Sequence, residues 1–161
     1  MPMIDLTVPR GALSDEAKAE LMAALSRTVL KWEGAGNKAA ESIAWSFLHE
    51  PALATVFGQP LTEPRYRLVV GIPQGLLDDE ERLGMVAEMT DQVLRAEKGA
   101  AALTRDDRLR VWVLINEIPE GHWGGGGQIF RLADNLRFTG SDEAEIARRS
   151  ARLSQPVTVG S

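Results

Sequence analysis

Cysteine is absent from this chain, histidine occurs only twice, and aromatic side chains make up 6% of it. The first absence excludes a disulfide framework, a thiolate nucleophile and a cysteine zinc site, and two histidines hold zinc only with help from carboxylates. No apolar run approaches the roughly 18 residues of a membrane span, and the first residues lack the basic-then-apolar order of a secretory signal. Basic excess is missing too: 18 Lys and Arg stand against 23 Asp and Glu, for a net charge of −5. A nucleic-acid groove or an anionic membrane surface would favour the opposite balance. The expectation is a cytoplasmic protein that binds neither nucleic acid nor membrane and takes small molecules or copies of itself as partners.

The 161 residues suit a single domain, 1–161, long enough to bury its own core. Its first residues are Met1-Pro2-Met3-Ile4-Asp5-Leu6. Initiator methionine is commonly trimmed before a small residue such as proline, which would leave a secondary amine at the terminus. An α-amino group titrates at about 7.7 to 8.0, and burial in an apolar pocket lowers that further, so such an amine is a free base near neutrality. The plain alternative is a proline that merely follows Met1.

Ile4, Leu6 and Val8 alternate with Met3, Asp5 and Thr7 at the period of a half-buried strand, and Pro9-Arg10-Gly11 ends it. Ser14, with Asp15 and Glu16 behind it, opens a helix in which Leu21, Leu25, Val29 and Trp32 recur on one face to about Gly34. Ser42 to His49 predicts a second strand, and Glu50 to Gly58 a loop. The same grammar then returns. Tyr66 to Ile72 predicts a strand, Pro73-Gln74-Gly75 ends it, and Asp78 with Glu81 opens a helix with a capping box. Pro9 and Pro73 stand 64 apart (73 − 9), as do Leu25 and Met89, while Trp45 and Trp112 stand 67 apart (112 − 45), the drift being a longer loop from Lys98 to Asp107. The chain is therefore a doubled β-α-β unit with repeats 2–58 and 66–130. The fold class is α+β: a four-stranded sheet, parallel within each repeat, with two helices on one face. Val111, Val113 and Ile115 alternate with Trp112 and Leu114, so the other face is apolar as well and needs a cover, for which a homo-oligomer is the first expectation. The C-terminal segment 139–161, read as a surface helix from Ser141 to about Leu153 plus a tail, is the second.

A proline-first strand, the doubled unit and the run Glu117-Ile118-Pro119-Glu120-Gly121-His122-Trp123-Gly124-Gly125-Gly126-Gly127 together resemble the tautomerase superfamily, whose small members include 4-oxalocrotonate tautomerase. Phe47, Glu50-Pro51-Ala52 and Val56-Phe57-Gly58 are similar to the matching segment of the fused members that act on 3-haloacrylates. The resemblance covers about residues 2 to 130. It implies a homotrimer, a cofactor-independent tautomerase or isomerase without metal, and Pro2 as general acid/base on a small 2-oxo acid or enol. By position it also implies Arg10 as a carboxylate binder and Trp123 as an aromatic pocket wall. Gln74 falls where the dehalogenases keep an arginine and Trp112 where the short tautomerases keep another; both are taken as substrate-binding positions. The residues that activate water in the dehalogenases fall opposite Val29 and Gly125, which argues against hydrolytic dehalogenation. A hydratase or decarboxylase on a small unsaturated acid, a weak dehalogenase, or a non-catalytic trimer are the alternatives. Gly124 to Gly127 lacks the lysine and order of a phosphate loop and is read as a short hairpin reaching the next subunit.

Overall fold

In the computed structural model, which describes residues 2–154, Ile4 and Leu6 are buried and Met3, Asp5 and Thr7 half-buried along β1 (Met3–Thr7). Ser14 starts α1 (Asp15–Glu33) by accepting the Ala17 N–H at 3.1 Å, and Gly34 closes it in the left-handed region at φ 70°. There follow α2 (Lys38–Ile43), β2 (Trp45–His49), and a small hairpin of β3 (Thr55–Val56) and β4 (Gln59–Pro60). The second repeat supplies β5 (Tyr66–Pro73), α3 (Asp79–Lys98), the single turn α4 (Arg105–Arg108) and β6 (Val111–Ile118). A second hairpin, β7 (Trp123–Gly125) with β8 (Gln128–Phe130), leads into α5 (Leu132–Phe138), α6 (Glu143–Ser150) and a 3-10 turn at Ala151–Ser154. The Asp78–Glu81 capping box is formed at α3.

The sheet order is β2-β1-β5-β6, parallel within each repeat and antiparallel where β1 meets β5. α1 and α3 pack side by side on one face, where Leu21, Leu25 and Val29 meet Met85, Met89 and Val93 over Ile4, Leu6, Leu68 and Val70. The antiparallel junction has a consequence for function. The strand start of one repeat lies beside the strand end of the other, so Met3 pairs with Gly71 and Thr7 with Arg67.

Three expectations change. β2 begins at Trp45 rather than Ser42, because the Asn37 side chain accepts the Ala40 N–H at 2.8 Å and draws 38–43 into a helix. The stretch from Glu50 to Gly58 is a loop only as far as Thr55, where β3 turns back through Phe57 and Gly58, both at positive φ. The C-terminal helix starts at its Asp142 cap and runs through a 3-10 turn to Ser154, but it is not a surface helix: Ile146 joins the main core, and Arg149 is only 4% exposed. Its charges mislead because they are used inward, Arg149 donating to the carbonyls of Glu33 and Leu76 at 2.9 Å each. The tail beyond Ser154 lies outside the described residues. This segment binds the helical side, so the opposite sheet face stays open, with Trp45 58% and Trp112 67% exposed beside Phe47 and Leu114.

Candidate functional site at the start of β1

Pro2 is buried and precedes the central strand β1, at the one place in such a strand where a missing N–H costs no ladder bond. The next residue, Met3, lines a cavity of about 340 Å³ together with Ile43, Trp45, Ile118, His122 and Trp123; Pro2 is not among the lining residues. Trp123 reaches it from the β7–β8 hairpin, and its ring end lies 3.9 Å from where a Cβ on Gly71 would stand, with the Met3 Cβ at 3.6 Å. The hairpin is anchored through Glu120, whose carboxylate accepts the Leu132 N–H at 3.0 Å and whose own N–H reaches Gln74 Oε1 at 3.3 Å. Gln74 thus spends its carbonyl oxygen on the hairpin, while its amide NH₂ makes no hydrogen bond among the described residues. His122 Nδ1 lies 3.2 Å from the Glu120 carbonyl and sits at the rim.

Glu33 was not singled out by sequence reasoning. It is the last residue of α1 and 3% exposed, and burial pushes its carboxyl up to about 7 against the opposing positive charges of the chain's amino terminus and Arg149. A legible signal existed: a carboxylate in the last helical turn opposes the helix dipole and asks for an explanation. Arg149 ties this helix end to Leu76 in the loop after β5 and also stands 3.7 Å from Glu81. The start of β1 therefore adjoins an apolar, tryptophan-walled hollow, while the Glu33 carboxyl is buried apart from the residues that line it.

The other two candidates lie elsewhere in the chain. Trp112 pairs with Arg67, which pairs with Thr7, so it stands level with the far end of β1, offset from Pro2 by about 17 Å along the strand at some 3.4 Å per residue and by two strands across the sheet. Arg10 is exposed in the loop after β1 and lines a separate hollow with Pro9, Pro51 and Leu61. Within one chain Pro2, Gln74 and Trp123 share one end of the sheet, and Arg10 and Trp112 the other. A further groove of about 560 Å³, between α1 and α3, is lined by Glu20, Glu88, Asp91 and Arg95 and shares no residue with the hollow at the start of β1. Among the described residues no group of three or more His, Asp or Glu is placed to hold a metal ion, and no helix is long and apolar enough to cross a membrane.

No family model and no curated protein matches the chain. Solved structures do. A structure described as a fused 4-OT wild-type asymmetric trimer is 22% identical, with a TM-score of 0.62 over 79% of this chain and 94% of that one. A member of the cis-3-chloroacrylic acid dehalogenase family is 14% identical, with a TM-score of 0.66 over 92% of this chain and 99% of that one. Macrophage migration inhibitory factor from Oncomelania hupensis is 18% identical, with a TM-score of 0.64 over 94% of each chain. With its doubled β-α-β sheet matched to all three, the chain has the fold of the tautomerase superfamily.

Proposed function

We propose that the chain is a cofactor-independent tautomerase, active as a homotrimer, whose processed terminus presents Pro2 as the acid/base. The observation that supports this reading is the burial of Pro2 next in the chain to Met3, which walls a hollow together with Trp123. An amine desolvated there is a free base at neutral pH and removes the proton from a hydroxyl or from the carbon next to a carbonyl. The resulting ammonium returns that proton to the other end of the enol system, so no group is gained or lost. In this reading the Gln74 amide NH₂, which makes no hydrogen bond among the described residues, donates to a substrate oxygen, and Trp123 covers an aryl or alkyl body. No arginine lines this cavity, which favours a 2-oxo compound with an apolar body over a firmly clamped small haloacid.

The test is phenylpyruvate ketonisation by the mature protein, with its terminus checked by mass spectrometry. Retaining Met1 should lower kcat by at least about a hundredfold, the range of a lost general base, while leaving the circular dichroism unchanged. Equal turnover with the amine blocked would refute the role of Pro2, and no turnover by the mature protein would favour a non-catalytic trimer.

A further inference from the structure

The crossover that joins β1 to the parallel β2 brings α1 back along β1, so the end of the helix lies over the start of the strand. On the other side Met3 pairs with Gly71, which sets Pro2 beside Ile72 and the loop that follows β5. Arg149 bridges these two pieces. Its Nη1 donates at 2.9 Å both to the carbonyl of Glu33, the last residue of α1, and to that of Leu76 in the loop. Glu33 is thus one guanidinium away from the loop that flanks Pro2, and it is buried in that corner. Burial is the main cause that raises its carboxyl, and among the charges that oppose the rise the chain's amino terminus stands ahead of Arg149. Because Coulomb attraction falls with distance, a carboxyl that feels the terminus more than a guanidinium bonded to its own residue stands close to that terminus. The neighbouring charged groups are engaged with one another. Lys31 pairs with Glu88 at 2.7 Å, Glu145 accepts from Arg148 and Arg149, and Glu81 and Asp78 both accept from Arg152. The hollow lies across the sheet from this corner: α1 packs on the face of Ile4 and Leu6, whereas Met3, which lines the hollow, alternates with them.

We infer that Glu33 is a positioning residue for the processed amine: its carboxyl stands behind Pro2, on the side away from the hollow, and shares a proton with the amine. The inference rests on the reading of Pro2 as the acid/base and adds what sets its protonation. With one proton on the pair, the amine is a free base only while the carboxyl holds that proton. In the reaction the amine nitrogen forms an N–H bond to the proton leaving the substrate's O–H or C–H, whose electron pair stays in the enol system. The carboxylate then gives the ammonium a counter-charge where water is excluded, until the proton returns to the substrate. Two groups coupled in this way titrate as a unit, in two steps that belong to the pair.

The experiment is a nitrogen-15 NMR titration of proline-labelled protein whose first residue is verified as Pro2 by mass spectrometry, a readout that needs no turnover. In wild type the Pro2 nitrogen should report two steps, its own and that of Glu33. In Glu33→Gln it should report a single step, its midpoint lower by about one pH unit or more, the range for losing a nearby opposite charge. Glu145→Gln, which removes a carboxylate from the same guanidinium, should keep both steps. Where phenylpyruvate is turned over, the acid limb of kcat/KM should follow the NMR midpoint. Light scattering and circular dichroism verify that each variant keeps the wild-type assembly and fold. A single step in wild type, or a midpoint unmoved by Glu33→Gln, would overturn the inference, and the wild-type titration decides even where the variant does not fold. Two steps without any turnover would leave the pair standing and sink the tautomerase reading instead.

Discussion

Glu33 shows how one buried group makes stability depend on pH. Its carboxyl is raised from an ordinary 4.5 to about 7, first by burial, so between those values the folded chain holds a proton that the unfolded chain has released. Stability is then fully present below about pH 4.5 and declines as pH rises through 7. A glutamine at this position would keep the neutral shape and remove the titration. Glu33→Gln is therefore expected to leave the urea midpoint near wild type at pH 4.5, and at pH 8.5 to stabilise by on the order of 2 kcal/mol. An equal difference at both pH values would mean that the carboxyl does not titrate in this range. The same variant reports on the site. If the carboxylate faces the processed amine, its removal should move the acid limb of the pH–rate profile to lower pH, because a nearby negative charge favours the protonated amine. Sequence reasoning reached Pro2 through its position and Trp123 through its motif, but not Glu33. A single acid at a helix end becomes informative only when the loop after β5 and Arg149 close over it.

Elements were legible wherever local chemistry and periodicity agreed. Ser14 and the Asp78–Glu81 box fixed the starts of α1 and α3, and alternation fixed β1, β5 and β6, because these signals lie within a few residues of what they decide. The short helices escaped. α5 begins at a residue with no side-chain hydrogen bond to the helix N–H groups, and its short stretch, with Leu132 and Leu136 buried, falls between the second repeat and the C-terminal segment, where sequence reasoning assigned no element. The packing of α1 on α3 also turns on one residue with no helical preference. A Cβ on Gly84 would stand 2.2 Å from the Trp32 ring, which is held in place by Nε1 donation to Glu88 at 2.9 Å and by Lys31 5.1 Å from the ring centroid. Glycine in a helix interior ordinarily costs about 1 kcal/mol relative to alanine. Here the sign reverses. Gly84→Ala forces the indole or α3 aside and is expected to destabilise by roughly 1 to 3 kcal/mol, the usual range for overpacking, measured as a lowered urea midpoint at unchanged slope. A stabilised Gly84→Ala would show that Trp32 moves away freely.

At the scale of the whole molecule, sequence offsets revealed two repeats but not how they face each other, and the placement of Arg10, Gln74 and Trp112 depended on that. An antiparallel β1–β5 junction puts the loop after one strand beside the start of the other, which sends Gln74 toward Pro2 and Arg10 away from it. No local pattern encodes that junction; it follows from which strand edges pair. The open face was legible, since alternation in β6 already implied two apolar sides, and the fold leaves Trp45, Phe47, Trp112 and Leu114 uncovered. Each large apolar side chain removed from water contributes about 1.5 to 3 kcal/mol, and an apolar sheet face supplies several at once in every protomer. The C-terminal segment is spent on the helical side and cannot serve as the cover. A trimer is therefore expected by light scattering at micromolar concentration. Phe47→Asp/Leu114→Asp, away from the hollow at the start of β1, should shift it to monomer while the far-ultraviolet dichroism stays unchanged, because neither side chain belongs to the main core. A wild-type monomer would remove the self-association argument, and a variant that still assembles would place the interface on another surface.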